Sequence, residues 1–313
     1  MYQFMNISKA SIKSKPIVKQ IILLLQRIKF PSLKETSLYD IIKLYFFGLL
    51  SGGVTHRASA IAFSFFMALF PFALFLLNLI PFIPLNNFQN DFLVFVSQSV
   101  PPNTYDAIEI ILKDILNNSY KGLLSSGFLL SIFLMSNGIN ALLDSFEMSE
   151  NISKKRGFFR QYIIAIALSV LIAFLLLLTV AILILVTVFI HQIETQSGYV
   201  SKIPLIEFTR YLFVIIMILL ITSILYKYGT KETKQISFIS YGSVMTTILF
   251  VLTSYLFGIY VEKFARYNEL YGSIGTLLVM MFYVWLNCIL ILLGFELNAF
   301  IFQLKSPKKE MII

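Results

Sequence analysis

Few side chains in this sequence could do chemistry, and their spacing limits what they could do. The chain has 313 residues with two histidines and one cysteine. His56 and His191 lie far apart in sequence, so the HExxH spacing of a zinc hydrolase is absent. Cys288 stands alone inside an apolar run, which excludes an internal disulfide, a CxxC pair and a cysteine-based metal cluster. No GxSxG, Walker A or dinucleotide fingerprint occurs. Asp144, Glu147 and Glu150 stand three apart beside Lys154, Lys155, Arg156 and Arg160. Metal-assisted phosphodiester hydrolysis needs carboxylates or histidines clustered around ions. This stretch reads more simply as a solvated helix end. No catalysis, metal or cofactor is expected.

What the chain does offer is a set of polar side chains near one end of several apolar segments. His56 and Arg57 precede the first of these. Asn137, Asn140 and Asp144 recur at i, i+3, i+7 at the end of the second. Glu296 and Asn298 fall near the end of the last, with Asn287 eleven positions before Asn298 and on the same helical face. Two readings stand. Asn and similar residues tie membrane helices together by hydrogen bonds. Alternatively, His56, Arg57, Asn137, Asn140, Asp144, Glu296 and Asn298 form one polar cluster at the cytoplasmic ends of spans one, two and six. In that case Glu296 lines a cavity facing the cytoplasm.

The elements that must position these residues follow from composition. Hydrophobic residues make up 58% of the chain and charged residues 13%, against about 45–50% and about 25% in soluble domains. Mean hydropathy is +0.83. A soluble enzyme and a disordered chain are both excluded, and unbroken apolar runs argue against a β-barrel. The fold class is an all-α integral membrane protein. A span needs about 20 mostly apolar residues. Six segments qualify, at about 58–83, 122–143, 162–190, 207–226, 238–261 and 272–302. Serines dilute the second, and the third and sixth exceed the minimum length. Ala60, Ser64 and Ala68 form a small-residue seam on the first, and Pro71 should kink it.

Three regions result: a basic segment 1–36, a membrane domain 37–303 and a basic tail 304–313. Ser37 to about residue 51 carries one apolar face and reads as an interfacial amphipathic helix. A second amphipathic helix, from about 103 to 116, begins after Pro101 and Pro102. It packs on the bundle, lies on the outer leaflet or covers a cavity mouth.

Charge sets the orientation. Nineteen of the 25 Lys and Arg residues lie in the N-terminal region, the 144–161 and 227–237 loops and the tail. On the other side stand only Lys113, Lys121, Lys202, Arg210, Lys263 and Arg266. By the positive-inside rule both termini are cytoplasmic. The net charge of +9 is thereby explained without a nucleic-acid partner. Tyr211, Tyr226, Tyr228, Tyr241, Tyr260 and Tyr271 fall at span ends, as in an aromatic belt. The spans lack the central carboxylates of an ion-coupled transporter and the serial arginines of a voltage sensor.

Three stretches resemble a known family. Arg57–Pro71 reads RASAIAFSFFMALFP. Residues 136–147 read SNGINALLDSFE. Residues 271–299 read YGSIGTLLVMMFYVWLNCILILLGFELNA. In order and spacing these are similar to the YihY/virulence factor BrkB family over most of 37–303. The family-like positions are Arg57, Pro71, Asn137, Gly138, Tyr271, Gly272, Gly294, Glu296, Leu297 and Asn298. The resemblance implies a bacterial inner-membrane protein with six spans around a central cavity. Members were once labelled ribonuclease BN, a label regarded as mistaken, and the poverty in carboxylates and histidines independently disfavours it. The resemblance also suggests roles in serum resistance and in handling envelope lipids, and it brings no catalytic residue. The preferred function is transport or transbilayer handling of a lipid or amphipathic solute, with membrane lipids as partners. The alternative is a non-transporting scaffold with protein partners in envelope biogenesis. A membrane enzyme is the remote third reading.

Overall fold

A computed structural model describes residues 53–79, 88–99, 121–149, 152, 155–197, 204–233, 236–271 and 273–305, with isolated residues between 20 and 39 and between 109 and 116. The helix expected at 37–51, apart from Ser37 and Tyr39, lies outside the described residues. So do nearly all of segment 1–36 and the tail beyond Lys305.

The described elements are helices: α1 (Gly53–Leu79), α2 (Phe88–Ser99), α3 (Lys121–Glu147), α4 (Phe158–Ser197), α5 (Pro204–Gly229), α6 (Tyr241–Tyr271) and α7 (Ser273–Lys305). All but α2 are long and apolar enough to cross a membrane, giving six candidate spans. With no water in hydrocarbon to satisfy backbone groups, helices are how such apolar runs close their hydrogen bonds. The serines that dilute the second span solve the same problem locally. Ser131 and Ser136 are buried and donate to the carbonyls of Phe128 and Ile132 in their own helix, at 2.8 and 2.6 Å. At 40 residues α4 is the longest element, about 60 Å at the helical rise.

The helices close into a ring. α1 packs on α3 and α7, α3 on α4, α4 on α5, α5 on α6, and α6 back on α7; α7 also reaches across to α3 and α5. Helix α1 runs unbroken through Pro71. The expected seam on α1 is shifted. Ala60 is exposed, whereas Ala58, Ile61, Ala62 and Ala68 are buried. A Cβ on Gly138 of α3 would come within 3.1 Å of the Phe65 ring, so Gly138 lets α3 close on α1.

Helix α2 was not expected from the sequence. Its Phe92 buries with Leu112 and Leu116, and Leu77 of α1 packs against them. From the amphipathic pattern at 103–116, Leu112 and Leu116 pack against α1 and α2, whereas Ile110 is exposed. Glu109 and Lys113 pair on its surface at 2.8 Å.

Burial is uneven along the ring. The most deeply buried large side chains include Ile61, Ile139, Leu142, Leu143, Phe146, Tyr226, Leu292, Phe295 and Leu297. They come from the start of α1 and the ends of α3, α5 and α7, and so from one end of an alternating bundle. There Phe146 and Phe295 stack with centroids 3.9 Å apart, and Tyr226 leans on both. Away from that end, runs of exposed residues occur among the described ones. Ser125, Ser126, Phe128, Leu129 and Leu130 of α3 are all exposed, although they cover more than one helical turn. In α6 the same holds for Val251, Leu252, Ser254, Tyr255 and Leu256.

Candidate functional site

The packed end is held together by polar contacts, and they form separate networks. In the first, Arg57 sits in the opening turns of α1. Its Nε donates to the Gly53 carbonyl of its own helix at 3.1 Å, and Nη1 donates to the Ser145 carbonyl at the end of α3. Nη2 reaches Glu296 Oε1 of α7 at 3.3 Å. The other carboxylate oxygen, Oε2, accepts from Ser149 Oγ at 2.6 Å. One ion pair with its flanking hydrogen bonds thus clamps α1, α3 and α7. Glu296 does not snorkel alone: both its oxygens are engaged, and its side chain keeps 18% exposure.

In the second network, α3 meets α4. Asn140 Nδ2 donates to Asp144 Oδ2 at 3.2 Å, and Gln161 Nε2 of α4 donates to Asp144 Oδ1 and to Asn140 Oδ1. Tyr162 OH donates to Asn137 Oδ1 at 3.2 Å. In the third, Asn298 of α7 caps α6. Its Oδ1 accepts from the Gly242 amide and its Nδ2 donates to Ser240 Oγ, each at 2.8 Å. Ser240 and Ser243 exchange side-chain-to-amide bonds at 3.2 and 2.9 Å, a reciprocal N-terminal cap. Beside Asn298, Ile236, Ser237, Tyr241 and Phe302 line a small cavity of about 130 Å³.

The structure therefore brings Arg57 to Glu296, and Asn137, Asn140 and Asp144 to one seam. It places Asn298 apart, against α6, and leaves His56 exposed.

A fourth network was missed. Glu147 is 5% exposed and Arg156 8%. Both Glu147 oxygens accept from the Arg156 amide at 3.1 Å. The Arg156 guanidinium donates to the Tyr228 and Gly229 carbonyls at 2.9 Å each, closing the free end of α5. Burial pulls the Arg156 pKa below its usual range; Glu147 opposes that pull and Arg160 adds to it. The acidic end of α3 is thus solvated at Asp144 and buried at Glu147. The available signal was the basic run at 154–156, which complements a carboxylate on the preceding helix end.

Tyrosine needs a similar correction. Tyr211, Tyr228 and Tyr241 are exposed, as a belt requires, but Tyr226 is buried. Its hydroxyl contacts Thr246 Oγ1 at 2.7 Å and donates to the Ile291 carbonyl at 2.8 Å. It packs where α6 crosses α7 at Gly242 and Gly294. A Cβ on Gly294 would strike Thr246 Oγ1 and stand 2.5 Å from Tyr226 OH.

Among the described residues, two buried oxygens, Asn287 Oδ1 and Ser223 Oγ, have no hydrogen-bond partner. Such a group costs about 1–3 kcal/mol, so their persistence asks for a reason. Among the described residues, no three His, Cys, Asp or Glu side chains gather in a metal-sized group.

This ring of apolar helices with a polar clamp at one end is a multi-pass α-helical membrane protein. Residues 47–311 match the model of the virulence factor BrkB family, and the chain belongs to that family. It is 31% identical over 259 residues to "Putative ribonuclease-like protein YfkH" of Bacillus subtilis, covering 81% of this chain and 92% of that protein. It is 24% identical to a UPF0761 membrane protein of Haemophilus influenzae, covering 82% of this chain and 96% of the relative. A UPF0761 membrane protein of Aggregatibacter aphrophilus is 22% identical, covering 82% and 89%. No solved structure matches the chain.

Proposed function

We propose that this protein carries a lipid or other amphipathic solute across or between the leaflets of the bacterial cytoplasmic membrane, without catalysis. The observation that carries this reading is the packing gradient. Three of the six spans, α3, α5 and α7, supply a plug of Phe146, Tyr226 and Phe295 at one end. Away from that end, Ser125, Ser126 and residues 128–130 of α3 and Val251, Leu252 and residues 254–256 of α6 give broad exposed faces, with Gly127, Thr253 and Phe257 partly covered. A ring sealed at one end and loose at the other gives an apolar molecule a way in from the bilayer and a barrier to cross. The described ion pair involving a spanning helix sits at the sealed end, where it could hold the barrier shut.

The sealed end also carries the basic loops: Lys155, Arg156 and Lys231 all lie there, with Lys231 Nζ donating to the Lys155 carbonyl at 3.2 Å. That supports a cytoplasmic sealed end with both termini on the same side.

Reconstitution tests the proposal. Vesicles containing a fluorescent phospholipid are treated with dithionite, which bleaches only the dye it can reach. Vesicles holding the protein should lose their inner-leaflet fluorescence, and empty vesicles should keep it. Equal bleaching with folded protein present would refute lipid movement and turn the reading to a scaffold.

A further inference from the structure

Helix α6 is long and apolar enough to span, yet it stays out of the core. Over Tyr241–Val261, 11% of its residues are buried, against 33–39% in the other five spans. The residues it buries, Gly242, Ser243, Thr246 and Thr247, lie in its first two turns, and from Ile248 to Val261 every one is exposed or half-buried. Helix α7 mirrors this: no residue from Leu277 to Leu286 is buried, and burial begins at Asn287. Among the described residues, α6 adds no side chain to the apolar core of the bundle, and α7 joins it only from Val284 on. Burial on α1, by contrast, continues to Phe75, about 33 Å along the axis from Gly53, whereas on α6 it stops about 9 Å from Tyr241.

The two outer halves hold each other. The Ser254 and Tyr283 hydroxyls meet at 2.6 Å. The Phe257 ring lies 4.6 Å from the Tyr283 ring and 6.5 Å from that of Phe282, between centroids. Helix α6 ends at Tyr271 and α7 begins at Ser273, so their far ends are tethered. The inner halves are locked to the ring. Gly242 and Gly294 cross with no room for a Cβ, Asn298 holds Ser240 and Gly242, and Tyr226 ties Thr246 to the Ile291 carbonyl. Between the two regions α7 touches α1, where Trp285 Nε1 donates to Ser59 Oγ at 3.1 Å and Ser59 donates to the Thr55 carbonyl at 3.0 Å.

The turns where burial stops are suited to bending. Thr247 Oγ1 donates to the Ser243 carbonyl at 2.8 Å, and Asn287 Nδ2 to the Tyr283 carbonyl at 2.9 Å. Each side chain competes for a carbonyl of the i→i−4 ladder, which loosens and bends a helix. Gly242 lies against Gly294 and Ser254 against Tyr283, so the helices run antiparallel and the two turns lie at similar depth. Asn287 Oδ1 is buried without a partner. That raises the free energy of the docked arrangement relative to one in which the oxygen meets water or a donor.

We propose that residues 248–286 form a two-helix arm that swings as a unit about Thr247 and Asn287. It parts from α1 at Ser59 and Trp285 and opens the ring sideways to the outer leaflet. The Arg57–Glu296 pair and the Phe146–Phe295 stack lie inward of the hinge and stay closed. The arm's role as a gate rests on the transport function proposed above; its motion does not.

Double electron–electron resonance on the full chain in lipid nanodiscs tests the motion. Cys288→Ala confines spin labels to introduced cysteines. Three pairs of exposed positions are labelled: Leu256→Cys with Met67→Cys between arm and ring, Val251→Cys with Leu278→Cys within the arm, and Met67→Cys with Phe174→Cys within the ring. The arm–ring pair should show two distances and the other pairs one each. Trp285→Phe, which removes the bond to Ser59, should raise the ratio of long to short distance at least about threefold. Asn287→Leu, which removes the unpaired oxygen, should lower it. A single arm–ring distance in all three proteins would overturn the motion. Two distances within the arm would overturn its moving as a unit. A ratio unchanged by either variant would overturn the hinge. The gate is tested in the same vesicles as phospholipid movement. Protein with Ser59→Cys and Trp285→Cys bridged by a bis-maleimide should move lipid at least about tenfold more slowly than the same protein capped with N-ethylmaleimide. Equal movement would overturn the gate. An arm that swings in a protein that moves no phospholipid would reject transport and uphold the arm.

Discussion

Arg57 and Glu296, 239 positions apart in sequence, meet at 3.3 Å and join the first spanning helix to the last. Their side chains are 19% and 18% exposed, so the pair is sheltered but not dry. Ser149 completes the carboxylate's shell at 2.6 Å, and the Ser145 carbonyl takes another guanidinium hydrogen. These four residues close the ring at its sealed end, and a conformational change that opened that end would have to part them.

Removing one partner of this pair should cost more than its net worth, because the other charge stays behind. Glu296→Ala should lose about 1–3 kcal/mol, less than a fully buried pair would, since solvent reaches both groups. Glu296→Gln keeps an acceptor for Arg57 and for Ser149 and should lose less. Unfolding by steric trapping, with a double-mutant cycle through Arg57→Ala, measures the coupling. Equal losses for Ala and Gln would show that the hydrogen bonds contribute nothing.

The α6–α7 crossing depends on the absence of side chains. Gly294→Ala would press a methyl group into Thr246 and Tyr226, where the backbones on both sides leave little room to yield. Overpacking of this kind costs typically about 1–3 kcal/mol and occasionally more. Gly258→Ala, on the same α6 helix, meets nothing within 4 Å and should be neutral or stabilising by up to about 1 kcal/mol. Thermal unfolding midpoints in one detergent compare the two. Similar midpoints would contradict the close approach.

Arg156 caps α5 with two nitrogens on two successive carbonyls. Lysine has the charge but not the fork. Arg156→Lys should therefore recover only part of the stability that Arg156→Ala loses, about 1–3 kcal/mol for a buried polar network broken on one side. Full recovery by lysine would mean that charge alone matters at this loop.

Much of this was legible in the sequence because hydropathy is a local signal. Six apolar runs gave six spanning helices, each shifted by a few residues where polar caps extend the helix beyond the apolar core: α1 begins at Gly53 rather than near 58, and α3 runs to Glu147. The polar residues were found, but not their partners. Asn137, Asn140 and Asp144 share a face of α3, and that face meets α4, whereas Glu296 and Asn298 on α7 diverge toward α1 and α6. Two residues along a helix is a turn of about 200°, which sends Glu296 and Asn298 to different neighbours. Glu147 and Arg156 looked like loop charges because nothing local marks a carbonyl end that needs capping from another element. Tyr226 looked like a belt residue because it sits at the end of its span; only the α6–α7 crossing shows what its hydroxyl serves. Helix α2 carries Phe88, Phe92, Phe95 and Val96 at i, i+4, i+7 and i+8, but at 12 residues it is too short to stand out from the connecting segment as a span.

A ring loosely packed and reached by water in its outer half, and sealed at its other end, should show that difference in thiol reactivity. Ser254 lies in the loose half of α6, exposed yet turned to Tyr283 of α7. Cys288 lies deeper on α7 and is 2% exposed. Spheroplasts carrying Ser254→Cys are treated with a membrane-impermeant maleimide, with the native Cys288 as internal reference. Residue 254 should be labelled from outside and Cys288 should remain unmodified until the protein is denatured. Protection of residue 254, or equal labelling of Cys288, would contradict an open outer half above a sealed inner end.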